Sequence, residues 1–285
     1  MMNCFDETRN AFRPGKPWRA KTGILLVLVL GVLFGACSDS EKVSGTSEEA
    51  EGIVAITNKQ IAGVAQKGPF VKGSNIVLRE TSAAGNLKPT GKAFFATTRS
   101  DSGDFVIDGI NLESQYVRLT ATGYYKREST DENSECQVSL NALSDVSDGN
   151  RININMFTHI EYARVLKLME KGKSFHEAKN QAHAEWEKII GDVPLREFEY
   201  LNIEGNEDDD KALKLLSTTV DGCAYNDNED IPSDKRCTVG QDFIDAFANS
   251  FGSSGKIPTK LKVKGYPEHA LTFCMFAIQE IFEGR

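Results

Sequence analysis

The sequence predicts an α+β protein of two domains, an N-terminal antiparallel β-sandwich (residues 53–155) followed by a C-terminal all-α domain (156–285). Three observations carry this expectation. Apolar residues recur with a period of two up to about residue 155. The period then changes to that of a helix, with apolar positions three and four apart. Short strand-like runs in the first half are separated by Gly/Asp/Ser turns at sandwich-like spacing.

Two segments precede the sandwich. Residues 1–36 carry Arg9, Arg13, Lys16, Arg19 and Lys21 before the uncharged run Thr22–Ala36. That run is 15 residues, shorter than the ~17–20 a spanning helix needs. A basic region, a short apolar region and small residues before a cleavage point are the parts of an export signal. Leu33-Phe34-Gly35-Ala36-Cys37 closes it and resembles a bacterial lipobox. The resemblance implies cleavage before Cys37 and acylation of that thiol. One acyl chain holds weakly, at about 0.8 kcal/mol per buried methylene, and two or more hold firmly. Residues 37–52 are rich in Ser, Gly and acid, which predicts a disordered tether. Fully stretched, it reaches about 50 Å. The expected partner at this end is a membrane, through the lipid. Ser38 in place of an acid is similar to lipoproteins sent to the outer membrane, so the expected location is the cell envelope.

Within 53–155, Ile76 and Leu78 alternate with Val77 and Arg79, and Val117, Leu119 and Ala121 with Arg118, Thr120 and Thr122. Val138, Leu140 and Ala142 alternate with Gln137, Ser139 and Asn141, and Ile152 and Ile154 with Asn153 and Asn155. The first set in each run is expected on the core face and the second in water. Arg99–Asp104 reads as a hairpin turn, with Asp101 as cap and Gly103 at positive φ. About seven short strands are expected.

From residue 156 on, Tyr162, Val165, Leu166 and Met169 form one stripe, and Phe175, Ala178, Ala182, Trp186 and Ile189 a second. Leu271, Cys274, Met275, Ile278 and Phe282 form a third. Ser174–Glu177 and Thr238–Gln241 have capping-box spacing, and Pro267 suits the first turn of the last helix. About five helices are expected, with those between 208 and 251 forming a hairpin.

The chain carries net charge −8. Residues 1–36 hold five Lys/Arg against two Asp/Glu, so the 249 residues from Cys37 on carry −11. An acidic body disfavours nucleic acid and anionic lipid as partners. Beyond Cys4 and Cys37, four cysteines remain, and an exported chain can oxidise them. Cys223 and Cys237 bracket a polar loop and are the expected disulfide. Cys136 and Cys274 are left unassigned, with a buried free thiol an equal option for Cys274 on its apolar stripe.

Ile61–Phe70, Asn75–Glu80, the Thr98–Phe105 hairpin and Tyr116–Tyr125 together resemble carboxypeptidase-regulatory-like domains, which are small transthyretin-like sandwiches. With Leu140–Asp145 and Ile152–Tyr162 added, the stretch is similar to the N-terminal region of paralogous surface lipoproteins of fibre-degrading bacteria. The resemblance implies a surface-exposed scaffold or binding role and supplies no catalytic residues.

Motifs of known chemistry are incomplete. His176-Glu177 begins a zinc-protease helix, but Asn180 stands where the second histidine belongs, and His183 is a turn too far. Gly68–Asn75 shadows a phosphate loop without its lysine, since Ser74 follows Gly73. Gly252-Ser-Ser-Gly255 lacks nucleophile-elbow spacing and reads as a loop. Glu207–Asp210 reads as acids at a helix start. Asp221–Asp230 has alternating oxygen ligands but lacks the glycine and distal glutamate of a calcium loop. No metal, cofactor or catalytic residue is assigned. The leading expectation is a non-enzymatic lipid-anchored scaffold or binding protein. The first alternative is a polysaccharide-binding lipoprotein, with Tyr124, Tyr125 and Tyr225 as candidate glycan contacts. The second is a secreted hydrolase with paired carboxylates in a cleft. A cell-surface protein partner is a further option.

Overall fold

A computed structural model describes residues 52–82, 87–191, 193–224 and 231–283. Cys37 and Tyr225 lie outside the described residues, as does the calcium-loop segment from 225 to 230. Among the described residues six strands come first: β1 (Ile56–Val64), β2 (Asn75–Thr81), β3 (Pro89–Thr97), β4 (Asp104–Leu112), β5 (Tyr116–Gly123) and β6 (Val138–Asp145). Five α-helices follow: α1 (Met156–Glu170), α2 (Phe175–Ile190), α3 (Asp208–Ala224), α4 (Arg236–Ser254) and α5 (Glu268–Glu283). The order is α+β, strands then helices.

The strands form two antiparallel sheets, β1–β4 and β3-β2-β5-β6. Alternation acts as the sequence predicts on β5, where Val117, Leu119 and Ala121 are buried and Arg118, Thr120 and Thr122 half-buried. Gly103 takes φ +81° in the β3–β4 turn, and Asp101 accepts from the Lys72 amide at 2.8 Å.

The stretch around Ile152 departs from expectation. It runs parallel to β1, with Ile152 N donating to Ala62 O at 2.9 Å and Ile154 N to Val64 O at 2.8 Å. Gly63 permits this approach, because a Cβ there would overlap the Ile152 carbonyl oxygen. Asn153 and Asn155, expected in water, are fully buried. Asn153 accepts from the Val64 amide at 3.1 Å and donates to Leu201 O at 3.0 Å. Asn155 caps α1 through a capping box with Thr158 and donates to Phe198 O at 2.8 Å. The segment 198–201 covers the face that alternation assigns to solvent, and asparagine satisfies the buried backbone on both sides.

Ser174–Glu177 forms the expected capping box at the start of α2. Thr238–Gln241 does not cap, because α4 begins earlier, at Arg236, after a 3₁₀ turn. Gln241 instead accepts from the Ser139 amide at 2.9 Å, tying α4 to β6. Gly252-Ser-Ser-Gly255 is the last turn of α4 rather than a loop, with Gly255 as its left-handed cap. Pro267 immediately precedes α5 and its carbonyl accepts from Leu271 N at 3.0 Å.

One contiguous core runs through both halves. It joins Ile61, Ile76, Phe105 and Leu119 of the sheets to Phe157, Trp186, Phe243 and Phe251 of the helices. Trp186 sits 4.9 Å from the Phe157 ring and 4.8 Å from the Phe251 ring. The described residues belong to one compact unit, so position 155/156 marks a change of secondary structure without a change of core.

The disulfides correct the expected pairing. Cys136 joins Cys237 with alpha carbons 5.1 Å apart, and Cys223 joins Cys274 at 5.7 Å. Cys223 shares the core-facing stripe of α3 with Leu213, Leu216 and Val220, which turns it toward α5 and away from its neighbour in sequence. Cys274, an equal candidate for a free thiol, is the partner it meets.

Candidate functional site

The densest chemistry lies where α1, α2 and the chain after α2 meet β6. Lys179, on the flank of the α2 stripe beside Ala178, points inward and is buried. Its Nζ donates to Glu161 Oε2 of α1 at 2.5 Å and to Glu199 Oε1 at 2.5 Å. A third bond goes to the Leu143 carbonyl of β6 at 3.3 Å. Ser144 Oγ also donates to Glu199 Oε1, at 3.1 Å. All three charged side chains are buried. A cavity of about 200 Å³ adjoins them, lined also by Asn180, His183 and Glu197.

Burial pushes the Glu161 carboxyl up to about 8; the Lys179 charge opposes the rise and the Glu199 charge adds to it. Burial also works against the Lys179 ammonium, but Glu161 and Glu199 outweigh it and hold the group above its ordinary value. Burial thus works against ionisation of Glu161 while Lys179 keeps its charge. Glu199 Oε2 has no hydrogen-bond partner among the described residues and is sealed from solvent. Each carboxylate spends an oxygen on Lys179, whose ammonium occupies the space between them.

A second buried cluster sits at the far end of β5. Lys67 Nζ donates to Ser217 O at 2.8 Å, lies 3.4 Å from Asp221 Oδ1 and 3.8 Å from Glu128 Oε1, and stands 5.1 Å over the Tyr125 ring. Tyr125 Oη donates to the same Asp221 oxygen, and Arg127 reaches Asp221 Oδ2 at 3.1 Å. Burial raises the Glu128 carboxyl. This network pins α3 to the sheet.

The candidate tyrosines do not gather. Tyr124 is 42% exposed, whereas Tyr125 is 1% exposed and bonded to Asp221, so it cannot stack on a sugar. Adjacent residues of an extended strand face opposite sides, which separates the pair. His176 and His183, read from sequence as solvated helix residues, are both half-buried. His176 contacts Asn180 at 2.9 Å, and His183 contacts Arg196 O at 3.1 Å and stacks on Phe198. Asp208–Asp210 open α3, with Asp209 and Asp210 paired to Arg196 at 2.6 and 2.8 Å. Among the described residues no three His, Cys, Asp or Glu side chains converge to hold a metal, and no helix is long and apolar enough to cross a membrane. Sequence reading missed the Glu161–Lys179–Glu199 cluster, whose members look like ordinary helix-surface and loop charges. The one available signal was Lys179 lying beside the apolar stripe.

Comparison with known proteins returned no match, neither to a family, nor to a curated protein, nor to a solved structure.

Proposed function

We propose that this chain is a lipid-anchored surface protein of the cell envelope, acting as a scaffold or binding module. In this reading Cys37 carries the lipid, the outer membrane is the anchoring surface, and the two sheets make a transthyretin-like sandwich. The observation that carries it is the pair of disulfides, Cys136–Cys237 and Cys223–Cys274, downstream of the lipobox. Such links persist outside the reducing cytosol. The Glu161–Lys179–Glu199 cluster favours this reading over the hydrolase, since both carboxyl groups are engaged by the same lysine. Metabolic labelling with palmitate tests it. The wild-type chain is expected to label and to sediment with membranes, and Cys37→Ser to do neither. Label retained by Cys37→Ser overturns the assignment.

A second reading, glycan binding, draws on Phe95 and Tyr124. Phe95 is 73% exposed and shares its row with Val77 and Thr120 across the sheet. Tyr124 follows Thr120 and Thr122 on the same side. Strand spacing puts the two rings on the order of 15 Å apart, a span suited to an extended sugar chain. On this reading Tyr124→Ala and Phe95→Ala each weaken salt-resistant retention on an insoluble polysaccharide by about tenfold. Wild-type protein that passes every polysaccharide unretained removes it.

A further inference from the structure

We propose that the Lys260–Lys264 strip and the outer face of α5 form a membrane-contact surface that seats the body on anionic lipid. Residues 256–267 hold four lysines and no acid, in a chain of net charge −8. The segment 260–263 lies outside any helix or strand and leads into a turn at Lys264. Val263 is buried and Leu261 half-buried, while Lys260, Lys262 and Lys264 are all exposed. None of the three makes an ion pair or hydrogen bond among the described residues.

Helix α5 lies alongside. Its inner stripe, Leu271, Cys274, Met275, Ile278 and Phe282, is buried. Its outer side leaves Phe273 70% and Phe276 59% exposed, with Ile281 exposed beyond them. Thr272 and Met275 line a groove of about 780 Å³ together with the lysine strip. Phe276 lies one turn from Thr272, beside the groove's edge, and Phe273 lies one turn before Phe276 on the outer side of the helix. Glu268 lines the groove and Glu280 is exposed one turn past Phe276; they bracket the patch at its two ends.

A row of lysines beside protruding aromatic rings is the chemistry of an interfacial surface. Lysine meets anionic headgroups while the rings enter the boundary of the acyl region. The acidic remainder of the body is repelled by the same surface, which orients the molecule with this face inward. The rings protrude rather than line a slot, which favours insertion into lipid over reception of a peptide. For its setting the proposal rests on the anchored reading, in which a tether of residues 38–52 keeps the body within reach of the bilayer.

The test does not use the anchor. The described residues, from Gly52 on, belong to one compact unit, so the fragment 52–285 serves as the body. This body is sedimented with vesicles of phosphatidylcholine alone and of phosphatidylcholine with phosphatidylglycerol. The expected result is binding to the anionic vesicles only, lost at high salt. Replacing the strip by Lys260→Glu, Lys262→Glu and Lys264→Glu together weakens partitioning about a hundredfold at low salt. Phe273→Ser with Phe276→Ser also reduces it, with disulfide peptides and near-UV dichroism unchanged. Equal binding to both vesicle types, no binding to either, or a phenylalanine variant that partitions like wild type overturns the proposal. So does concentration-dependent dimerisation abolished by Phe273→Ser with Phe276→Ser, which makes the face a contact between copies. A body that ignores vesicles while Cys37 takes up palmitate removes the docking surface and leaves the anchor. A body that binds while Cys37 stays unlabelled does the reverse.

Discussion

Lys179→Met is expected to lower folding stability by about 3–5 kcal/mol, because it leaves two buried carboxyl groups facing each other without their shared cation. Domains of this size are stable by only about 5–15 kcal/mol, so the variant sits near the edge of folding. Urea unfolding of the wild type and variant reads the difference, and a loss under about 1 kcal/mol contradicts the assigned role. Glu161→Gln separates charge from shape. In the unfolded chain Glu161 titrates near 4.5, and in the folded protein near 8. Between those values the folded state keeps a proton that the unfolded state releases, so this group's contribution falls as pH rises from about 4.5 to 8 and is flat beyond. Relative to wild type, Glu161→Gln therefore gains stability across that window, by on the order of a few kcal/mol at most. A difference independent of pH from 5 to 8 overturns the raised carboxyl. Two other groups shape the acid side. Burial opposes ionisation of Asp209 and Asp221, yet Arg196 in the first case and Lys67 in the second hold them below 3.8. Their contribution is present above that value and is lost as pH falls through the lowered ones.

Removing the disulfides is expected to cost a comparable amount. Cys136–Cys237 closes 101 residues and Cys223–Cys274 closes 51. In the chain-entropy model these loops are worth about 4.7 and about 4.1 kcal/mol, with measured effects commonly about 2–5. Cys136→Ser with Cys237→Ser releases α4 from the β5–β6 connection, whereas Cys223→Ser with Cys274→Ser loosens α3 from α5. The first pair should destabilise more. Reductant should also reach it first, since Cys237 is exposed while Cys223 and Cys274 are both buried. Non-reducing peptide maps decide the connectivity, and a Cys223–Cys237 peptide would falsify it.

The apolar stripe of α5 is buried at every position its spacing names, and β5 alternates as read. The Ser174 cap is legible because each of its bonds lies within three residues. Helix α1 is a different case. Thr158, His159 and Glu161 are buried, while Tyr162, Leu166 and Met169 of the apolar stripe are only half-buried, because β6, α2 and α4 pack around the helix. No single stripe can describe a helix covered on several sides. The burial of asparagines 153 and 155 was unreadable for a related reason, since the Leu201 and Phe198 carbonyls they donate to lie more than 40 residues away.

By itself the sequence determined the order of strands before helices, the faces of the simpler elements such as β5 and α5, and the Ser174 cap. Those features depend on residues within one or two turns of each other, where spacing along the chain is spacing in space. Only the tertiary structure decided which cysteines pair, that Lys179 bridges Glu161 and Glu199, that Tyr125 turns inward while Tyr124 turns out, and that sheets and helices share one core. Each depends on which faces meet, and that is set by packing between segments whose separation in sequence carries no record of their contact.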